Sequence, residues 1–233
     1  MNLLIDIGNT SAKVAIMDGD TLLHTEHKNS PWDSLFRRLQ ASYPIEHIVI
    51  STVTAEDKEL EATLRSLPQP VLWLTADTPC QLKNVPPGYG ADRLAADLGA
   101  IAQSPGHTLL VIDAGTCITY DLISRQGEIL SGVISPGIQL RLRAMHEHTA
   151  LLPLFQAEPD TPLMGHDTKS SMMSSAIHGT RFEIEGYIRS LLPAYPDLRV
   201  FLTGGNTFQL SADLQERTLH DPHLLFRGLQ SLT

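Results

Sequence analysis

The stretch LLIDIGNTSAK, residues 3–13, joins an apolar strand to a polar turn. Its first three residues are apolar in succession, which is typical of a short buried strand. Gly8 and Asn9 predict a turn because both residue types tolerate positive φ values. Residues 12–17 predict a second strand. Ordinary turn chemistry also explains these residue types when the stretch is taken alone. The predicted hairpin gathers four polar residues at its turn: Asp6, Asn9, Thr10 and Lys13.

The composition of the chain excludes several classes of protein. It has 233 residues, of which 42% are hydrophobic, enough for one large domain or two small ones around a packed core. The net charge of −9 argues against a nucleic-acid partner, since phosphate-backbone binders present a basic face. Two cysteines argue against a disulfide scaffold. With no signal peptide and no apolar run near the length that spans a membrane, we expect a cytoplasmic protein without membrane contact.

A second stretch, LLVIDAGT at residues 109–116, repeats the opening. Both stretches run from an apolar strand through Asp to Gly and Thr, and nearly half the chain separates them. Repetition at this scale indicates duplicated structural units. We therefore predict an α/β protein of two similar domains, residues 1–106 and 107–233, with a ligand cleft between them.

Hydrophobic periodicity predicts the remaining elements. Each half begins with three strands and continues with alternating helices and strands. We expect further strands at residues 21–28, 47–53, 70–77 and 199–205, and helices at residues 31–42, 55–67, 91–104, 138–146 and 169–192 and from Asn206 onward. Residues 149–167 contain three prolines and no clear period, which predicts a long surface loop.

The two Asp-x-Gly turns suit a phosphate ligand. A glycine turn lets backbone N–H groups approach phosphate oxygens, and an adjacent Asp can hold a hydrated Mg²⁺ ion. Lys13 can neutralise charge that develops on a transferring phosphoryl group. The stretch LTGGN, residues 202–206, offers a glycine pair against which a flat adenine and ribose can lie. Each signal is weak alone, and the sequence contains neither a Walker P-loop nor a dinucleotide-binding fingerprint.

Six motifs together carry a family resemblance: DIGNTSAK (6–13), GADR (90–93), DAGT (113–116), GVISPG (132–137), GHDTKSS (165–171) and LTGGN (202–206). With these motifs in this order over nearly the whole chain, the sequence resembles type III pantothenate kinases, in the acetate and sugar kinase, heat-shock and actin superfamily. The resemblance implies two ribonuclease H-like, actin-like domains with a duplicated βββαβαβα core and an interdomain cleft. It also implies ATP-dependent phosphorylation of pantothenate, the first step of coenzyme A biosynthesis.

The resemblance implies the following site. The ATP phosphates would be bound by Asp6, Ile7, Gly8, Asn9, Thr10, Ser11, Ala12 and Lys13, with further ATP contacts at Thr116, Gly204 and Gly205. Asp6 would hold Mg²⁺ through water, and Asp113 would bind a monovalent cation, K⁺ or NH₄⁺. Asp92 matches the general base. The residues that match the pantothenate site are Gly90, Ala91, Asp92, Arg93 and, from the partner subunit of a homodimer, Thr168.

The chemistry of the GADR motif agrees with these roles. A primary alcohol needs a carboxylate within hydrogen-bond reach of its hydroxyl, and Asp92 can accept that proton late in a loose transition state. Arg93 can hold a substrate carboxylate with two parallel hydrogen bonds. An ordinary helix start with Asp in its first turn would give the same four residues, so this motif does not decide the function alone.

The sequence departs from the family pattern in the loop before GADR. Relatives usually carry a tyrosine seven residues before Gly90, where this chain has Lys83, while Tyr89 directly precedes the glycine. We do not assign Tyr89 to the site. Two alternatives stay open: a non-catalytic transcriptional accessory factor of the same family, and a kinase for another small hydroxyl substrate. The presence of Asp6, Lys13, Asp92, Arg93 and Asp113 favours an enzyme.

Overall fold

The computed structural model describes residues 1–54, 57–158, 160–206 and 208–233. The chain forms two compact units, each described below by itself. The first comprises Met1–Pro105, Gly127–Ile129 and His223–Thr233, and the second comprises Gly106–Gln126 and Leu130–Pro222. The two domains expected from the sequence, residues 1–106 and 107–233, stay a prediction, and the structure packs the C-terminal residues with the first unit.

The first unit contains a mixed five-stranded sheet of order β3-β2-β1-β4-β5. Antiparallel pairing joins β1 to β2 and β2 to β3, and parallel pairing joins β1 to β4 and β4 to β5. Its elements are β1 (Asn2–Ile7), β2 (Ala12–Asp18), β3 (Thr21–His27), α1 (Trp32–Ser42), β4 (His47–Thr52), α2 (Lys58–Arg65), β5 (Val71–Trp73) and α3 (Ala91–Gln103).

Alternating side chains give the first sheet two faces. Ile5, Ile16 and Ile50 lie on one face and pack with Trp32 and Phe36 of α1 into a buried core. Residues of the other parity, including Leu4, lie on the opposite face, and α3 packs against β4. Asp6 has the same parity as Leu4, so the predicted phosphate turn leaves the sheet on the face away from α1.

The second unit repeats this plan with the sheet order β10-β9-β6-β7-β8. Its central strand β6 pairs antiparallel with β7 and parallel with β9, as β1 does with β2 and β4. The α/β class and the duplicated core are therefore confirmed. The elements are β6 (Leu109–Ala114), β7 (Cys117–Ile123), β8 (Ile129–Pro136), α4 (Ile138–Glu147), α5 (Thr168–Leu191), β9 (Arg199–Thr203), α6 (Ala212–Gln215) and β10 (Thr218–His220).

A last helix, α7 (Leu224–Gln230), belongs to the first unit and crosses α3. Glycine is required at the crossing, because a Cβ on Gly228 would lie 1.7 Å from the carbonyl oxygen of Ala95. A Cβ on Gly99 would lie 2.1 Å from the carbonyl oxygen of Leu224. Neither α7 nor β10 was predicted from the sequence.

Most other predicted elements are present with ends shifted by a few residues. The predicted loop has no helix or strand in its described residues, 149–158 and 160–167. The helix predicted from Asn206 is wrong: the next helix begins at Ala212 because Asn206 is engaged elsewhere, as described below. Of residues assigned to predicted helices, 55, 56 and 207 lie outside the described part of the chain.

Two further findings concern the cysteines and the apolar character of the helices. Both cysteines, Cys80 and Cys117, are free thiols. Among the described residues, no helix combines the length and the apolar character that crossing a membrane requires.

Candidate active site

The turn between β1 and β2 places the predicted phosphate-binding residues at the end of the first hairpin. The N–H of Gly8 donates to the carbonyl of Ser11 over 3.0 Å, which closes the turn. Asp6 and Lys13 are register partners across the two strands, so their side chains lie on the same face of the sheet. Both are half-buried, whereas Asn9 and Thr10 are exposed at the tip. The tip of the turn is therefore exposed, and an aspartate and a lysine lie at its base.

Ser51 extends this row of polar side chains to a third strand. It is the partner of Asp6 in the parallel pairing of β1 with β4. Ser51 is fully buried, and its Oγ has no hydrogen-bond partner in the described part of the chain. Ser51 was not among the predicted site residues, although a serine that ends the apolar run of β4 is a visible signal. Lys13, Asp6 and Ser51 thus lie side by side on three strands.

The GADR motif forms the start of α3. Gly90 is its N-cap residue, and the Oδ1 of Asp92 accepts a hydrogen bond from the N–H of Arg93 over 2.8 Å. A Cβ on Gly90 would lie 2.5 Å from that same Oδ1, so glycine makes room for the folded-back carboxylate. Asp92 and Arg93 are both half-buried, and Ala91 is buried.

Lys83 and Tyr89 lie in different surroundings in the loop before α3. The N–H of Lys83 donates to the carbonyl of Gly127, and its carbonyl accepts from the N–H of Ile129, so its backbone is fixed while the residue is exposed. Tyr89 is buried. The tyrosine of this loop is therefore a packed residue, and the exposed position carries a lysine.

The β6–β7 turn of the second unit mirrors the first turn. The N–H of Gly115 donates to the carbonyl of Cys117 over 3.0 Å. Asp113 pairs with Thr119 on β7 and with Thr203 on β9, as Asp6 pairs with Lys13 and Ser51. The duplication therefore extends to the row of side chains around each aspartate, and the lysine position of the first turn is a threonine in the second.

The loop after β9 packs tightly against this second turn. Gly204 has φ +95°, and a Cβ there would lie 2.5 Å from Oδ1 of Asp113. The backbone N–H of Asn206 donates to the carbonyl of Ala114 over 3.0 Å, and its Nδ2 donates to Ala114 at 2.8 Å and to Gly115 at 3.2 Å. These bonds join the LTGGN motif to the DAGT motif, and they hold Asn206 in a loop where a helix was predicted.

A cavity of about 700 Å³ lies beside this loop, within the second unit. A Cβ on Gly205 would meet nothing within 4 Å, so this glycine borders open space. Arg181 and Phe208 were not among the predicted site residues, because α5 and the loop meet only in the fold and their spacing in the sequence gives no signal. The residues that line this cavity include Ile138, Ile177, Arg181, Gly205, Asn206 and Phe208.

Thr168 is the first residue of α5 and is exposed. Asp167 caps the helix: its Oδ1 accepts from the N–H of Ser170 over 2.7 Å, and the Ser170 hydroxyl accepts from the N–H of Asp167. Hydrogen bonds from the Ser170 side chain and backbone lower the pKa of the Asp167 carboxyl. A Cβ on Gly165 would lie 2.2 Å from the N–H nitrogen of Ser171, which accounts for the glycine of this motif.

The structure tests whether the predicted cation sites suit the ions. Among the described residues, no three His, Cys, Asp or Glu side chains gather as a metal site. Each Asp-x-Gly turn offers a single carboxylate, at Asp6 or at Asp113. A single carboxylate suits hydrated Mg²⁺, which keeps several waters and binds substrate phosphates. The donor set therefore fits a cation that arrives with ATP.

The sequence as a whole matches a family model described as type III pantothenate kinase over residues 2–190. The chain belongs to the type III pantothenate kinase family. A type III pantothenate kinase from Bacteroides fragilis is 41% identical over 236 residues, covering 100% of this chain and 97% of that one. One from Phocaeicola vulgatus is 37% identical over 235 residues with the same coverage. The predicted family, enzyme class and function of a pantothenate kinase are confirmed.

Solved structures of other proteins share the fold. A Campylobacter jejuni protein described as a Baf family transcriptional activator superposes with a TM-score of 0.60 at 23% identity, covering 99% of this chain and 96% of its own. A ROK family glucokinase from Streptomyces griseus gives a TM-score of 0.52 at 12% identity, with 99% and 97% covered. At these identities the likeness shows the fold alone.

Proposed function

We propose that this pantothenate kinase transfers the terminal phosphoryl group of ATP to the primary hydroxyl of pantothenate, with Asp92 as the general base. The observation that carries these residue roles is the duplicated Asp-x-Gly turn. Asp6 and Asp113 occupy the same position in two sheets of equivalent strand order, each beside the turn of its hairpin. Each turn places a carboxylate beside exposed residues, which suits a phosphate ligand and its cation.

The phosphate side of the reaction uses the first turn. Backbone N–H groups of the exposed tip, residues 9–11, can donate to phosphate oxygens because the turn leaves these residues at the surface. Lys13 lies at the base of the same turn and can stabilise charge on the transferring phosphoryl group. The nucleoside would occupy the cavity of the second unit, where Gly205 borders open space and Arg181 supplies a cation.

The acceptor side uses the start of α3. The Asp92 carboxylate accepts the hydroxyl proton of pantothenate as the oxygen attacks the phosphorus. Arg93 holds the pantothenate carboxylate with its planar pair of donors. The two residues are adjacent in the first turn of one helix, which fixes the reacting hydroxyl and the far carboxylate relative to one rigid element.

Two cations complete the proposal. Mg²⁺ bound with ATP neutralises phosphate charge, and Asp6 would hold it through water. Asp113 would bind the monovalent cation, K⁺ or NH₄⁺. A cation there offsets repulsion between the carboxylate and the phosphate oxygens, which otherwise disfavours their approach.

We further propose that the enzyme is a cytoplasmic homodimer in which Thr168 of one protomer reaches the pantothenate site of its partner. Large apolar side chains exposed on β8 and α5, namely Ile134, Phe182 and Tyr187, support a second copy of the chain as the covering partner. Thr168 begins α5, the helix that carries two of them. Neither nucleic acid nor membrane has a role in this proposal.

The deciding experiment measures ADP release from ATP, Mg²⁺ and pantothenate, in K⁺ buffer and in Na⁺ buffer. We expect turnover that requires pantothenate and K⁺. Asp92→Asn should lower kcat by about 10²- to 10⁴-fold while leaving ATP affinity, measured by calorimetry, within a small factor. Near-normal turnover of this variant would remove Asp92 as the base, and equal turnover in both buffers would remove the monovalent-cation role of Asp113.

The exposed Lys83 supports a second candidate, a kinase for a different small hydroxyl substrate. A lysine on this loop would favour a substrate with an additional anionic group near the acceptor end. A panel of hydroxy acids and their phosphorylated analogues separates the two candidates. Pantothenate as the best substrate by kcat/KM, with Lys83→Ala unchanged, would exclude this alternative. A folded protein without turnover on any substrate would favour the non-catalytic accessory factor.

A further inference from the structure

The loop before α3 ends in a tight turn that fixes Tyr89. The N–H of Tyr89 donates to the carbonyl of Pro86 over 3.1 Å, and Gly88 has φ +74°. Proline followed by glycine with positive φ is the signature of a type II turn, and Pro87 and Gly88 occupy those two central positions. The turn sets the backbone of Tyr89 immediately before the N-cap residue of α3.

The other end of Tyr89 is fixed by a buried carboxylate. Its hydroxyl donates to Oδ2 of Asp97 over 2.7 Å, and Asp97 is 0% exposed. Burying a carboxylate is costly unless hydrogen bonds compensate, and an apolar residue would fill the same interior position of α3 without that cost. The Tyr89–Asp97 bond therefore contributes orientation of the ring more than stability.

The ring fixed in this way lies against the guanidinium of Arg93. The Cζ of Arg93 is 4.3 Å from the centroid of the Tyr89 ring, close enough for a cation–π contact. Arg93 and Asp97 are four residues apart and so lie on the same side of α3. The turn, the ring and the helix thus restrict the otherwise flexible side chain of Arg93. Arg93 is half-buried.

We propose that Tyr89 is a positioning residue that holds the Arg93 guanidinium ready for the acceptor's carboxylate, and that Asp97 fixes Tyr89 for this purpose. The inference rests on the proposed role of Arg93. A planar donor pair that is already ordered loses less conformational entropy when it binds a carboxylate. Tyr89 therefore increases the preference of the site for an acceptor with a carboxylate. It has no role in proton transfer or in ATP binding.

The test compares pantothenate with pantothenol, which has an alcohol in place of the carboxylate. Wild type, Tyr89→Leu and Tyr89→Phe are assayed with both acceptors. We expect Tyr89→Leu to raise the KM for pantothenate about tenfold or more, with kcat, the KM for ATP and the KM for pantothenol each within about threefold. Tyr89→Phe keeps the ring and loses the bond to Asp97, so its effect should be intermediate.

The matched control is Tyr43→Leu. Tyr43 is a half-buried tyrosine of the same unit that packs with the core on the opposite face of the sheet. The Tyr43→Leu variant should leave the ratio of kcat/KM for the two acceptors unchanged. Equal losses for both acceptors in Tyr89→Leu, or no change in the ratio, would overturn the proposal.

Calorimetric binding of pantothenate separates this inference from the proposed reaction. Affinity at least about tenfold weaker in Tyr89→Leu than in wild type supports the positioning role even if the wild type turns over no pantothenate. Equal affinities, or no binding by the wild type, would overturn the positioning role. If Tyr89→Leu does not fold, as judged by its melting transition, Tyr89→Phe decides: weaker binding of pantothenate than in the wild type supports the positioning role, and equal affinity overturns it.

Discussion

Asp6 on β1 lies directly opposite Lys13 on β2, and the equivalent aspartate of the second unit, Asp113, lies opposite Thr119. The two hairpins therefore share the carboxylate and differ in the residue across from it. A lysine beside the carboxylate suits contact with transferring phosphate, since it supplies positive charge where charge develops. A threonine brings no positive charge to this position, so a cation bound at the second carboxylate meets no like charge from it. This difference supports assigning contact with the transferring phosphoryl group to the first turn and the monovalent-cation site to the second.

Lys13→Met should lower kcat by about 10²-fold or more, because a charge that acts on the transition state is removed while the aliphatic stem remains. The melting temperature should change little, since Lys13 is half-buried at the edge of a turn. Steady-state kinetics and a thermal melt check both expectations. Lys58→Met, on the exposed first turn of α2, is the matched control and should keep wild-type kinetics. A Lys13 variant within about threefold of wild-type kcat would contradict the assignment.

Ser51→Ala should leave the free energy of unfolding unchanged or raise it by up to about 1 kcal/mol, because the buried hydroxyl has no hydrogen-bond partner within the described residues. Thr63→Val provides the contrast: that buried hydroxyl donates to the carbonyl of Glu59 over 2.9 Å. Removing this hydroxyl should lower the free energy of unfolding by about 0.5–1.5 kcal/mol. Urea denaturation of both variants measures the difference, and a Ser51→Ala loss as large as that of Thr63→Val would contradict the expectation.

Local patterns made much of this fold predictable. The two hairpins follow from period-two alternation and Gly turns, which are set by neighbouring residues, and the GADR motif marks the start of α3 directly. The adjacency of Ser51 and Asp6 could not be read in the same way, because it depends on the register of a parallel pairing between distant strands. The crossing of α7 over α3 likewise depends on two glycines that meet only in the fold.

The helix predicted from Asn206 shows how tertiary bonds override local propensity. Its backbone and side-chain amides both bond to the β6–β7 turn. Nothing near Asn206 in the sequence indicates those acceptors. The site was predictable where it lies on motifs, and it was missed where distant elements meet, as at Arg181 and Phe208.

Glu183→Gln should reduce the loss of stability that occurs when the pH falls from neutral to acid. Burial opposes ionisation of the Glu183 carboxyl, but hydrogen bonds from Arg141, Tyr120 and Ser135 outweigh it and lower its pKa from the ordinary value of 4.5. A lowered folded pKa means that the stabilisation is present above about pH 4.5 and is lost as the pH falls through the folded pKa. Urea midpoints from pH 7 to pH 3 measure this dependence.

The variant should be less stable than wild type by about 1 kcal/mol at pH 7, a figure reduced for the partial exposure of the pair. The difference should shrink as the pH falls below 4.5. Asp33→Asn, which removes an exposed ion pair with Arg37 on α1, is the control and should show little difference at either pH. A Glu183→Gln difference that is constant with pH would contradict the assigned ionisation.

Gly204→Ala should destabilise the second unit, whereas Gly205→Ala should fold normally. At Gly204 the backbone has φ +95°, and an added Cβ would lie 2.6 Å from the backbone of Ala114 as well as against Asp113. Relief of that clash requires the loop to move away from the β6–β7 turn, which also breaks the Asn206 bonds. The free energy of unfolding should fall by about 2–4 kcal/mol, because backbone strain and overpacking both act at this position. At Gly205 the same methyl group meets nothing within 4 Å. Thermal melts of the two variants test this directly: equal stability would show that the contact between Gly204 and Asp113 does not hold the two motifs together.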